Sequence, residues 1–92
     1  MSVYVDTAWY RYGRMTMCHM LADSLDELHA MADRIGVAQH WFHEKSTPHY
    51  DICKTKRALA VRLGAKEVSS RELVTVIRRL RDAALGAGGG EP

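Results

Sequence analysis

Residues 19–37 read HMLADSLDELHAMADRIGV, and a change of period inside this run sets the fold class. Up to Asp23 the chain belongs to MTMCHML (residues 15–21), apolar at alternate positions as a half-buried strand requires. From Ser24 onward the spacing is helical. Ser24 and Glu27 form the capping box S-x-x-E, in which each side chain serves the other's backbone N–H. Leu25, Leu28, Ala32 and Ile35 then fall on one side and form the predicted buried stripe. Gly36 supplies the left-handed residue that ends such a helix, and Val37 the apolar contact that often follows.

Working towards the N-terminus, SVYVD (residues 2–6) is β-branched, aromatic and alternating, so it reads as a strand ending at Asp6. TAWYRYGRM (7–15) carries Gly13 as a turn signal, but no Gly/Pro hairpin dipeptide is read as joining the two strands, which leaves their pairing open. Working towards the C-terminus, VAQHWFHEKSTPHY (37–50) is a mixed loop, and HYDI (49–52) is a brief extended segment. A second helix from Lys54 to Leu63 is expected to bury Leu59 and Leu63 and to stop at Gly64. AKEVS (65–69) reads as a short strand. Ser69 and Glu72 form another capping box, opening a helix with Leu73, Val76, Ile77, Leu80 and Ala84 inward and Arg78, Arg79 and Arg81 outward. GAGGGEP (86–92) reads as a flexible tail. The order predicts one α/β domain over residues 1–85, a short mixed sheet covered by about three helices.

At 92 residues the core is thin, and homodimerisation would help to complete it. An apolar content of 47% and a charged content of 26% are those of an ordinary soluble domain. The net charge of +2 is too small by itself to imply nucleic acid or membrane. Cys18 and Cys53 make no CxxC pair, which argues against a disulfide framework and a cysteine-rich zinc site. MSVYVDTAWY is neither a leader peptide nor a membrane span, so a reducing cytoplasmic setting is the expectation.

Five histidines carry more information than the charge. His19 ends a strand four residues before Asp23; the pair can act as base and orienting acid or share a metal, while the plain alternative makes Asp23 a helix cap. His29 borders the helix stripe, where a histidine is more often structural. His40 and His43 flank Trp41 and Phe42 in an H-x-x-H spacing of low specificity. Trp41 is either an aromatic wall for a planar ligand or a plug at the core edge.

In STPHYDICKTKR (46–57) Pro48 favours an extended backbone, so His49 and Asp51 share one face and Tyr50 takes the other. The helix start that follows, with Lys54, Lys56 and Arg57, suits an anionic group, Arg57 being the better donor for its bidentate fork. The RRLR run of the last helix has no interleaved aromatics and reads as a solvated face.

VYVD (3–6), HMLADSLDELHAMADRIGV (19–37), HYD (49–51) and KRALAVRLGA (56–65) together resemble the bacterial and phage family called domain of unknown function 4031, over residues 3–68. The family's polar pattern maps onto Asp6, His19, Asp23, Glu27, His29, His49, Tyr50, Asp51 and Arg57, and Cys53 departs from it at the start of the second helix. The resemblance carries no activity, but it implies that these residues converge in one pocket. The functional expectation is a site with His19, Asp23, His29, His49, Tyr50 and Asp51 as catalytic residues and Asp6, Trp41, Lys56 and Arg57 holding a small phosphate- or nucleotide-like anion. A divalent metal on His19, His49 and Asp51 would make the protein a phosphoester hydrolase. The competing expectation is a non-enzymatic interaction or nucleic-acid-associated module with structural histidines; charge argues against nucleic acid without excluding it.

Overall fold

The chain folds as β1 (Val3–Val5), β2 (Tyr10–Tyr12), β3 (Met15–Ala22), α1 (Leu25–Ile35), β4 (Phe42–His43), β5 (His49–Cys53), α2 (Lys54–Arg62), β6 (Lys66–Glu67) and α3 (Ser70–Gly89). This is a computed structural model, which describes residues 2–44 and 47–89. Among the described residues six strands form one mixed sheet in the order β4-β5-β3-β1-β6, with β2 also paired to β3. The expected α/β class, with helices on a short mixed sheet, is present. β1 and β5 run antiparallel to β3, and β6 parallel to β1, so β5-α2-β6 is a parallel crossover.

β3 is the spine of the sheet. Met20 pairs with Val5 on one edge and Tyr50 on the other, while Met17 pairs with Tyr10 and Cys53. β1 and β2 thus lie along the same edge of β3. Between Asp6, whose N–H bonds the His19 carbonyl, and Tyr10, opposite Met17, the first chain advances four positions while β3 advances two. Thr7–Trp9 therefore form a bulge of two extra residues, and an even number keeps Asp6 and Tyr10 on one face. Gly13, at φ 61, opens the two-residue turn Gly13-Arg14 between Tyr12 and Met15. This is the Gly-X form of a tight hairpin, and it settles the pairing that lacked an Asn-Gly signal.

Alternation along the strands separates two faces. Val3, Val5, Cys18, Met20, Tyr50 and Ile52 point to one side and make the core with Leu28, Met31, Ala32 and Ile35 of α1 and Ala60 of α2. Leu25 is not in that stripe: it is 47% exposed, at the stripe's edge in the first turn, and Met31 takes the expected place. Leu63 is likewise exposed, because α2 ends at Arg62 and Leu63 caps it; Leu59 packs partly buried against the core. The loop after α1 contains a 3₁₀ turn over Gln39–Trp41 and the short β4, neither expected. On α3, Leu73 and Val76 are buried and Arg78, Arg79 and Arg81 exposed, as the spacing predicts. Its backbone runs to Gly89, past position 85; the side chain of Ala84 is not described, and positions 90–92 of the tail lie outside the described residues. Among the described residues no helix is long and apolar enough to cross a membrane.

Candidate metal centre

The second face of the sheet carries the polar residues. His19 in β3 lies opposite Asp51 in β5, and His43 in β4 lies opposite His49 in β5. Asp6, at the end of β1, stands across from His19. Register and the two-residue period bring these five side chains to one side, around the carboxyl end of β1 and the first half of β5.

Asp6 is fully buried and holds His19 twice: Oδ1 accepts the His19 amide at 2.8 Å and Oδ2 meets ring Nδ1 at 2.8 Å. Burial pushes the Asp6 carboxyl up, but hydrogen bonds from the His19 ring and amide, with the imidazolium charge, leave it below its ordinary value. The same ring hydrogen bond, opposed by burial and helped by the Asp6 and Asp51 charges, raises His19 above its ordinary value. An ionised Asp6 can only accept, so Nδ1 of His19 donates. In neutral His19 the lone pair is then on Nε2.

His49 is set the same way by a different acceptor. Its Nδ1 lies 2.9 Å from the Thr47 carbonyl, which can only accept, so Nε2 again carries the lone pair. Both Nε2 atoms face Asp51 Oδ1, at 3.8 Å from His19 and 3.5 Å from His49. One ligand atom from each of these three residues lies within 4.8 Å of the others. Tetrahedral zinc, with ligands at about 2.0–2.2 Å, requires such atoms to stand roughly 3.3–3.5 Å apart, so small side-chain adjustments close the set. Orientation of an imidazole by a carboxylate or carbonyl on its far nitrogen is the usual outer shell of a metal-bound histidine.

Two further residues complete the surroundings. His43 Nε2 is 2.7 Å from Asp51 Oδ2, and its ring stacks on His49 with centroids 5.2 Å apart. Tyr10 stacks on His19 at 5.5 Å, and burial together with the neighbouring Asp51 carboxylate raises its phenol far above its ordinary value, so it stays protonated. Sequence reasoning passed over Tyr10, and it weighed His43 only as half of an H-x-x-H spacing. Period two on β4, with His43 opposite His49, was the available signal; His40 instead packs beside Trp41.

The other sequence candidates lie elsewhere. His29 and Tyr50 form a pair of their own, Nδ1 to phenol oxygen 2.7 Å, on the helix-covered face. Asp23 accepts from the Ser2 amide, the Tyr4 hydroxyl and Arg79, tying the start of β1 to α3, while Ser24 rather than Asp23 caps α1. Arg57 is engaged internally: Nε donates to the Asp6 carbonyl at 3.0 Å, a terminal nitrogen meets Glu67 at 2.9 Å, and the guanidinium lies 5.1 Å from the Trp9 ring centre. Lys56 Nζ lies over Gly36, at the carbonyl end of α1 where a cation is favoured. Trp41 lines a groove of about 220 Å³ that Asp51 borders together with Met15, Met17, Val37 and Lys56.

No curated protein and no solved structure matches the chain. One family model matches it over residues 3–80, a span that includes every residue of the cluster. The chain belongs to that family, described as Protein of unknown function (DUF4031).

Proposed function

We propose that this chain is a metal-dependent phosphoester hydrolase that binds one divalent ion of the zinc class through His19, His49 and Asp51. One observation carries the reading: both imidazoles have their Nδ1 atoms tied, to Asp6 and to Thr47, so that both Nε2 atoms converge on Asp51. Two histidines and a carboxylate leave at least one coordination position for water or substrate, which is the mark of a catalytic rather than a structural site. The ion would lower the pKa of a bound water to near neutrality and draw in a phosphate oxygen. Hydrolysis by such a water would break the bond from phosphorus to the leaving oxygen, with one water proton released to solvent and the other taken by that oxygen. Asp6 keeps His19 in its ligating tautomer throughout. Arg57 is occupied within the fold, so the anionic group would be met by the ion and not by that guanidinium.

Elemental analysis of protein purified without chelator, zinc titration and hydrolysis of bis(p-nitrophenyl) phosphate test the proposal together. The expected result is one ion per chain, lost in His19→Ala and His49→Ala. A folded parent that takes up no stoichiometric zinc, cobalt or manganese would refute it. The rival reading, structural histidines in a binding module, draws on the 2.7 Å contact by which His43 already satisfies Asp51; it predicts that these variants change thermal stability alone.

A further inference from the structure

The β2–β3 hairpin combines features that neither the core nor the metal centre explains. Trp9, Tyr12 and Met15 are exposed large apolar residues, at 41%, 57% and 38%, gathered within seven positions of the chain. Arg14 is exposed in the turn beside them, while Arg11, paired with Thr16, is exposed on the face of β2 opposite Tyr12. No acidic residue occurs between Thr7 and Ala22, although the whole chain carries 11 acids against 13 lysines and arginines. Lys54 Nζ lies 5.6 Å from the Trp9 ring centre, adding a cation from α2 to the same surface. A monomeric domain rarely leaves such an aromatic and basic cluster exposed without a binding role.

The hairpin is also joined to the cluster of histidines. Tyr10, between Trp9 and Arg11, stacks on His19. Tyr12 meets Trp41 edge to face at 5.4 Å, and Trp41 lines the groove bordered by Asp51. Aromatic faces beside cations suit a flexible polyanion with planar groups: bases stack on rings while phosphates meet the cations. A duplex conceals its base faces and would leave Trp9 and Tyr12 without partners.

We infer that the β2–β3 hairpin is a docking surface for single-stranded nucleic acid, which it delivers to the metal centre. Binding itself is independent of the ion, whereas the fate of the bound strand rests on the hydrolase reading above. Bases stack on Tyr12 and Trp9, Arg14 and Lys54 meet the phosphates, and the groove past Trp41 leads the strand to Asp51.

The experiment is fluorescence anisotropy of a labelled 15-mer of thymidylate, with a uridylate 15-mer in parallel, in EDTA at low and moderate salt. Tyr12→Ala and Trp9→Ala are expected each to weaken binding roughly 5- to 100-fold. Tyr12→Phe, which keeps the ring, is expected to restore it to within about twofold. Arg14→Gln with Lys54→Gln is expected to flatten the salt dependence. His49→Ala, which removes a proposed ligand, is expected to bind the oligonucleotide as the parent does while losing zinc. A parent that binds zinc but neither oligonucleotide overturns this inference and leaves the hydrolase reading standing; one that binds oligonucleotide but no metal does the reverse. Equal binding by Tyr12→Ala, or equally tight binding of a duplex or of polyglutamate, also overturns it, since charge alone would then account for the affinity.

Discussion

The two faces of the sheet use the same strands and both contain histidine, yet they treat it in opposite ways. On the covered face His29 meets the Tyr50 phenol at 2.7 Å, beside Phe42 with ring centres 4.7 Å apart. On the second face His19 and His49 each have one nitrogen fixed by an acceptor and the other turned towards a shared carboxylate. A lone hydrogen bond inside packed aromatics makes a structural residue. Convergence of lone pairs on one point makes a candidate site. Residue type does not separate the two cases, and the direction of the second nitrogen does.

The comparison can be broken most directly at Asp51. Asp51→Ala is expected to reduce zinc affinity about a thousandfold or more by isothermal titration, because each of a few ligands carries a large share of a binding energy of about 10–16 kcal/mol. His29→Ala should leave that affinity within about twofold; an equal loss in both variants would erase the distinction between the faces. A smaller effect is expected at Asp6, which touches no ion. Asp6→Asn keeps the shape of the side chain but can turn a donor towards His19 Nδ1, and should cost about 10–100-fold in zinc affinity.

On the covered face the readout changes to stability. Tyr50→Phe leaves the partly buried His29 Nδ1 without its partner and should lower unfolding free energy by about 1 kcal/mol in urea, with zinc binding unchanged. Ser24→Ala removes the side chain that accepts the Glu27 amide at 3.2 Å and should cost about 1 kcal/mol in the same assay.

The smallest effect concerns pH in the metal-free protein. The raised His19 value contributes stability fully present below its ordinary 6.5 and lost as pH rises through the folded value. The lowered Asp6 value contributes stability present above its ordinary 3.8 and lost as pH falls through the folded value. The ion pair should therefore add most between pH 4 and 6.5. Urea melts in EDTA at pH 5 and pH 8 would check this, since Asp6→Asn should abolish the difference due to the pair.

What could be read from residues alone follows the range of the interactions involved. α1 was legible because Ser24, Glu27 and Gly36 act on their own helix. The shared face of His49 and Asp51 followed from local alternation after Pro48. β2 was not legible, because Gly13-Arg14 is a weaker turn signal than Asn-Gly and β2 is only three residues long. The place of His43 depends on its register with His49, and that of Tyr10 on its register with Met17; both are pairings between separate strands. Arg57 looked free for a ligand because its acceptors, the Asp6 carbonyl and Glu67, come together only on folding. His29 and Tyr50 are candidates through the family's polar pattern, but Tyr50 takes the face opposite its neighbours His49 and Asp51 and meets His29 of α1, so the two pair with each other away from the cluster.

The bulge at Thr7–Trp9 has a consequence for how this segment can vary in length. Because two positions are inserted, removing both would restore continuous pairing and leave Tyr10 above His19. Removing only one would rotate Tyr10 and Tyr12 to the helix side and bring Arg11 towards the imidazoles, placing a cation where an ion is proposed to bind. Functional relatives should therefore tolerate gaps of two residues here and reject gaps of one.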